Sequence, residues 1–300
     1  EICMRWGDKI PYESATVCAA VGNASNAAIA AARLGLKSAL RAYVGNDLYG
    51  RECLEVLGRE KVDTRYMVTE NGKKTNYHYV LWYEDNRTIL VKHEAFSYAT
   101  PKLDKSPKWI YLSSLAANSA PYHEEIAQWL KSHPTSKLAF QPGTFQMKLG
   151  VEALKEIYAR TDIFFCNKEE AERILNLPAG SDMKELLQKM QALGPKLAVI
   201  TDDKRGAYAI EEDKKTMWHV PRYPDPRAPF EITGAGDAFA STTVAALALG
   251  LSLKEALLWG PTNASAVLQK IGAQAGLLTR PELESNLKNP PAAFALEPLQ

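Results

Sequence analysis

Thr233-Gly234-Ala235-Gly236-Asp237-Ala238-Phe239 is the stretch on which the fold turns: small residues that run directly into the apolar segment Ala238 to Leu251. Glycines lack a Cβ, so successive backbone N–H groups can converge on one point there. A helix that begins at the same place adds the partial positive charge of its N-terminus. Together these features predict an anion nest built by Gly234, Ala235 and Gly236, suited to a migrating phosphoryl group. Asp237 falls in the first turn, where dipole and amide donors favour an ionised carboxylate able to accept a proton. The same residues also read as an ordinary N-terminal Asp after a glycine turn, with no chemistry attached. The apolar segment behind it contains Ser241, Thr242 and Thr243 and is shorter than the ~20 residues needed to span a bilayer. It predicts a buried helix.

Outward from this segment, β-branched and aromatic runs alternate with amphipathic ones from about residue 107, the pattern of a parallel sheet covered by helices. Strands are predicted at Trp109 to Ser113, Lys137 to Gln141, Asp162 to Cys166 and Leu197 to Thr201. Helices are predicted at Tyr122 to Lys131, Val151 to Tyr158, Lys168 to Leu175 and Met183 to Leu193. Nearer the start, an Ala-rich helix is predicted over Asn23 to Leu34 after the turn at Gly22, and another over Leu48 to Leu57 capped by Asp47. Thr75 to His93 differs: two β-rich runs flank Glu84-Asp85-Asn86, which predicts a hairpin, and a hairpin inserted in a βαβ chain suggests a lid. Pro290, Pro291 and Pro298 predict an extended, surface-lying tail.

The 300 residues are 46% hydrophobic and 24% charged, enough apolar material for a sizeable core and too little net charge for a disordered chain. A formal net charge of +1, with both signs interspersed, argues against a nucleic-acid partner. Cys3, Cys18, Cys53 and Cys166 lie far apart, without zinc-site pairs or disulfide density, and fit a reducing cytoplasm. No G-x-x-x-x-G-K-[ST] loop and no G-x-S-x-G elbow occurs, and the five histidines show no H-x-x-x-H spacing. A dinucleotide fingerprint would need an acid ending the next strand; Glu255 instead belongs to Ser252-Leu253-Lys254-Glu255, a capping box.

With these residues in view, the chain resembles the ribokinase (PfkB) family of carbohydrate kinases over roughly Ser14 to Thr279. Ile232 to Phe239 resembles the family's anion hole and catalytic Asp. Gly22-Asn23-Ala24-Ser25-Asn26 resembles its Gly-Gly-Asn segment, with Val21 in place of the first glycine, and implies that Gly22, Asn23 and Asn26 contact substrate. Asn167-Lys168-Glu169-Glu170 resembles the Asn-x-x-Glu motif that organises Mg²⁺, through water at Glu170. As residues alone, the same four read as a helix cap. The resemblance further implies nucleotide contacts from Thr201, Gly206, Thr233 and Asn263, and it sets Glu231 where relatives often carry an Asp beside a monovalent-cation site such as K⁺. Asp203 departs from the glycine usual at its position, although Asp tolerates φ > 0 better than most residues.

The resemblance implies an α/β protein of the ribokinase-like type: a three-layer α/β/α fold with a central, mostly parallel sheet and a small β lid. Lid elements are expected in 1–22 and 64–100, the kinase core in 23–63 and 101–288, and the tail in 289–300. Relatives open with a strand carrying a sugar-binding Asp; nothing upstream of Cys3 can supply it, so the native chain is expected to extend before Glu1. The implied activity is ATP-dependent phosphorylation of a hydroxymethyl group on a small sugar, with Asp237 as general base and Tyr77 of the lid facing the substrate. The lid's outer aromatics, Tyr77, Tyr79 or Trp82, are expected to serve a homodimer as well. A nucleoside kinase of the same fold, or a non-catalytic relative that binds sugar or nucleotide, remain as alternatives.

Overall fold

Period-2 alternation on the central strands sends side chains to both faces of a sheet, and each face has its own set of helices. The computed structural model describes residues 5–83, 86–213 and 215–299. Helix α1 (Asn23–Arg33) precedes β1 (Tyr43–Gly45) and α2 (Leu48–Arg59), whose first turn is capped by Asp47 through Gly50 N at 3.0 Å. Strand β2 (Val68–Glu70) pairs in parallel with β1, and β3 (Tyr79–Tyr83) pairs antiparallel with β4 (Asn86–Leu90). Then follow β5 (Trp109–Leu112), α3 (Ala120–Ser132), β6 (Lys137–Phe140), α4 (Thr144–Ala153), α5 (Lys155–Arg160), β7 (Ile163–Asn167), α6 (Lys168–Ile174), α7 (Met183–Ala192) and β8 (Leu197–Thr201). The last third holds β9 (Ala207–Ile210), β10 (Met217–Val220), α8 (Ala235–Ala248), α9 (Leu253–Val267), α10 (Arg280–Lys288) and β11 (Glu297–Pro298).

Seven strands form the main sheet in the order β11-β10-β9-β8-β7-β6-β5. Strands β5 to β8 are mutually parallel, and β9, β10 and β11 continue the sheet antiparallel at one edge. Phe140, Phe164 and Ile200 point to one face, where they pack with Leu130 of α3, Tyr158 of α5 and Leu186 of α7. Their neighbours Ala139, Phe165 and Val199 point to the other, against Phe239 and Val244 of α8 and Leu257 of α9. That sandwich of helix, sheet and helix is the expected three-layer fold. Helix α8 is buried on every side from Ala238 to Ala246, so it has no polar face to show water, as the apolar run predicted.

Three expectations need amendment. No strand forms in residues 5–22, where lid elements were expected; residues 1–4, with Cys3, lie outside the described residues, as do Glu84 and Asp85 of the hairpin turn. Strand β2, within the stretch assigned to the lid, pairs with β1 from the stretch assigned to the core. Val151 to Tyr158 is not one helix: Gly150, at φ 84°, breaks α4, and α5 starts only after Leu154 at φ −111°. The C-terminal tail is extended at β11 and mostly exposed, as expected, and it is anchored at two points. Phe294 is 4% exposed, its ring edge-on to Tyr223 at 5.0 Å, and Leu299 N bonds Met217 O at 2.9 Å.

Among the described residues, no helix is long and apolar enough to cross a membrane. Cys18, Cys53 and Cys166 are unpaired thiols.

Candidate active site

Helices α1 and α8 meet at their N-terminal ends, and the contact is polar. Asn23 and Asn26 stand three residues apart, on one face of α1, and each aims its amide at the Asp237 carboxylate. Asn23 Nδ2 donates to Oδ1 at 2.8 Å and Asn26 Nδ2 to Oδ2 at 2.8 Å. The Asn26 amide is oriented from behind, because its Oδ1 accepts from Gly22 N at 3.3 Å and from Gln274 Nε2 at 2.9 Å. Gln141, just past the C-terminal end of β6, supplies a third and longer contact, Nε2 to Oδ1 at 3.4 Å, and its own Oε1 accepts from the Tyr111 hydroxyl.

Loss of water outweighs these donors. Burial raises the Asp237 pKa above its ordinary value, while hydrogen bonds from Asn26, Asn23 and Gln141 pull it down. The helix-dipole reading, which favoured ready ionisation, therefore captured only part of the balance. Tyr111 is pushed well above its ordinary range by its own burial and by the Asp237 charge, so its hydroxyl stays a donor.

The predicted nest has the required backbone. Gly234 caps α8 in the left-handed region, at φ 85°, and a Cβ there would clash with Ala273. The first intrahelical bond runs from Ala238 N to Gly234 O at 2.8 Å, which leaves the amides of Ala235, Gly236 and Asp237 as the unpaired donors of the first turn. A Cβ on Gly236 would meet nothing within 4 Å, so the approach to those amides is open.

The other predicted residues divide into those the fold brings to this place and those it uses elsewhere. Asn167 and Glu170 cap α6 reciprocally, Glu170 N to Asn167 Oδ1 at 2.8 Å and Asn167 N to Glu170 Oε2 at 3.0 Å, as the cap reading expected. Glu170 also feels Asp237: burial raises its pKa first, and the Asp237 charge adds to the rise. Two carboxylates within electrostatic reach make a setting that a divalent cation would relieve. Among the described residues, no group of three or more His, Cys, Asp or Glu could hold a metal ion.

Glu231 is 6% exposed, with Oε1 bonded to Gly272 N at 3.0 Å while Oε2 has no partner. Thr233 Oγ1 approaches this carboxylate without a hydrogen bond of normal geometry and is also buried and unpartnered. Two orphaned oxygens suit a monovalent cation. Thr201 ends β8 opposite Asn167 of β7, and the Asp203 turn survives its substitution, at φ 44°. Gly206 closes that turn at φ 88°, immediately before β9.

Asn263 does not fit the expected nucleotide contact. It is 0% exposed, donating to Thr242 Oγ1 at 2.8 Å and accepting from Leu278 N at 2.8 Å, so its side chain braces α9 against α8. Tyr77 packs on Tyr49 at 4.8 Å and Tyr79 at 5.1 Å, in a cavity of about 370 Å³ that Asp47, Lys74 and Leu90 also line. None of the Asp237 cluster lines that cavity. Gln141 and Tyr111 were missed as site residues, although a polar side chain just beyond a parallel strand's carboxyl end is where α/β sheets bind ligands.

Comparison with known proteins gives the family and the fold. The solved structure of ribokinase from Arabidopsis thaliana, complexed with ribose and ATP, shares the fold at a TM-score of 0.77 and 20% identity, covering 94% of each chain. The ribokinase of Bacillus subtilis is 28% identical over 275 residues, 89% of this chain and 87% of the relative. A nucleoside kinase of Methanocaldococcus jannaschii is 24% identical over 258 residues, 86% of this chain and 82% of the relative. The model of the pfkB family carbohydrate kinases matches residues 5–280. The chain belongs to the pfkB family, and it is a sugar or nucleoside kinase of that family.

The two nest glycines should separate on substitution. Gly234→Ala forces both a clash and a positive φ, and should cost at least about 1–3 kcal/mol in urea denaturation. Gly236→Ala should match or exceed wild-type stability while slowing phosphoryl transfer, since its methyl fills the approach to the amides. Equal stability of the two variants would show that Gly234 does not hold the nest.

Proposed function

We propose that this chain transfers the γ-phosphoryl group of ATP to a hydroxymethyl group of a small sugar or sugar derivative, with Asp237 as general base. The observation that carries this reading is the Asp237 carboxylate, held by two asparagine amides at 2.8 Å, at the mouth of a helix whose first three amides are unpaired. Phosphoryl transfer needs little covalent help; alignment and charge stabilisation do most of the catalysis. The acceptor oxygen attacks the γ-phosphorus, its proton passes to Asp237, and the bond to the bridging oxygen breaks to release ADP. The amides of Ala235, Gly236 and Asp237 stabilise charge on the equatorial oxygens.

Asn23 and Asn26 have a double use in this reading. They hold the base in the resting protein, and they stand at the place where acceptor hydroxyls would bind. Mg²⁺ bound with the nucleotide neutralises phosphate charge, and Glu170 is the carboxylate that would hold it, directly or through water. A K⁺ ion beside Glu231 and Thr233 would neutralise that carboxylate and fix the segment entering α8. Thr201 and Gly206 lie in the turn assigned to the nucleotide. The unpaired thiols are in keeping with a reducing cytoplasm.

A nucleoside acceptor is the second reading. It is favoured by Trp82, 43% exposed on the hairpin, an aromatic surface on which a base could stack. An ADP-release assay across ribose, fructose, ketodeoxygluconate, adenosine and cytidine separates the two, and Mg²⁺-dependent turnover with any of them eliminates a purely binding role.

Asp237→Asn should lower kcat by at least about 10²-fold with nucleotide affinity nearly intact. Wild-type turnover in that variant would refute the assignment. The acidic limb of the kcat/KM profile should lie above the ordinary Asp value of 3.8, because a raised pKa leaves the base protonated until higher pH. Asn26→Ala removes a donor to the charged form, so the limb should move to still higher pH; movement downward would contradict the hydrogen-bond account.

The hairpin bears on assembly. Tyr79 (61% exposed), Leu90 and Val91 leave apolar surface uncovered, which supports pairing with a second copy through the lid. Multi-angle light scattering should report a dimer, and a monomer at tens of micromolar would reject the idea.

A further inference from the structure

Tyr111 of β5 stands opposite Ala139 of β6, and Gln141 follows Ala139 by two positions. Period-2 alternation therefore sends Tyr111, Ala139 and Gln141 to one face of the sheet, the face that α8 covers. Ala139 is small, so the Tyr111 ring passes it and the hydroxyl reaches Gln141 Oε1. The backbone that carries this amide is held firmly. Gln141 N bonds Leu112 O at 2.9 Å, which continues the ladder, and the following Pro142 confines Gln141 to extended conformations. Gly143 N bonds Gln146 Oε1 at 2.8 Å, and the fully buried Gln146 amide donates in turn to Ser113 O at 3.0 Å. A Cβ on Gly143 would clash with Ser114, so the loops that leave β5 and β6 are packed against each other.

An amide has one accepting and one donating end, and here its neighbours decide which way it turns. Asp237 can only accept while ionised, and the Tyr111 hydroxyl, which burial and the Asp237 charge keep protonated, needs an acceptor. Gln141 satisfies both only with Oε1 toward Tyr111 and Nε2 toward Asp237. The flipped amide would set Oε1 against the carboxylate. Nε2 carries two hydrogens, yet among the described residues its one partner is Asp237 Oδ1 at 3.4 Å. Asn23 approaches the same oxygen at 2.8 Å. Of the three amides, Gln141 therefore adds least to holding the carboxylate, and it keeps a donor unused beside the oxygen that takes the proton.

The geometry points to Gln141 as a further catalytic residue and to Tyr111 as its positioning residue: Tyr111 fixes the amide so that Nε2 donates to the acceptor oxygen while Asp237 takes that oxygen's proton. A hydroxyl oxygen has three directions beside its bond to carbon. Its proton points to Asp237, one lone pair accepts from Gln141, and the other is left facing the γ-phosphorus. That division aligns the attack, and the N–H meets the negative charge that grows on the oxygen as the proton leaves. Gln141 itself exchanges no proton. The O–H bond breaks toward Asp237, the new O–P bond forms, and the bond to the bridging oxygen breaks to release ADP.

This inference rests on the kinase reading, and the test tells the two apart. The full chain is prepared as wild type, Gln141→Met, Tyr111→Phe and the double variant, and turnover is followed against pH on whichever of the five acceptors reacts fastest. MgADP affinity is measured by calorimetry. Gln141→Met should lower kcat about tenfold to 10²-fold, with MgADP affinity within about twofold of wild type. Tyr111→Phe keeps the amide but frees it to turn, and should lose about three- to tenfold. The double variant should turn over within about twofold of Gln141→Met alone, because Tyr111 acts through Gln141. Both single variants weaken a donor to ionised Asp237, so the acid limb of kcat/KM should move to higher pH; Glu170, the other carboxylate acting on Asp237, is the same in all four proteins. Losses that multiply in the double variant would make Tyr111 a packing residue and overturn its role. MgADP weakened as much as turnover means a damaged fold and overturns the proposal. An active wild type beside a Gln141→Met variant of equal kcat and unmoved acid limb overturns it while the kinase reading stands. No turnover by wild type with any acceptor sinks the kinase reading and this proposal together.

Discussion

Everything at this site depends on removing the Asp237 carboxylate from bulk water while keeping it usable. Dehydration alone would drive it neutral, and a neutral carboxyl cannot take a proton. Three amides, from Asn23, Asn26 and Gln141, replace the lost water with fixed dipoles. They come from α1 and from the end of β6, so the carboxylate ties together elements far apart in the chain. The balance still leaves its pKa raised, a poise that suits a base which accepts a proton and then gives it up.

The sheet and its two helix layers hold these groups in register. Helix α8 starts at the nest and passes through the core on a surface of Ala, Ser and Thr, which lets α9 and α1 approach it closely. Asn263 contributes here through its bonds to Thr242 and to Leu278 N. It keeps α9 at a fixed distance from α8, and so supports the nest from behind. Such a buried, satisfied amide specifies one arrangement of the helices because shifting either helix would leave it unpaired.

The hairpin is built on a different principle. It packs through few side chains, with exposed apolar residues on both faces, including Tyr79 and Leu90 on one and Val80, Trp82 and Ile89 on the other. Period-2 alternation divides its residues: those on the Tyr77 side meet Tyr49, and those on the His78 side meet Phe145 at the cleft. A thin two-stranded element of this kind is suited to opening and closing, since it has little buried area to break.

Much of this was legible in the linear order of residues. Local rules determined the β5 to β8 strands, the capped helices at Asp47 and Ser252, the buried α8 and the nest at its start, because propensity, capping and apolar period depend only on near neighbours. The pairing of Asn23 and Asn26 with a carboxylate more than two hundred positions away did not follow from such rules, nor did the contact from Gln141, whose significance comes from what faces it. Strands β9, β10 and β11 escaped notice for a related reason: they are short, and sheet pairing rather than intrinsic preference makes them strands. Only tertiary packing decided that Asn263 is a brace and that Tyr77 packs between Tyr49 and Tyr79. A side chain's role is set by the desolvation and partners it meets, and those are properties of the folded chain.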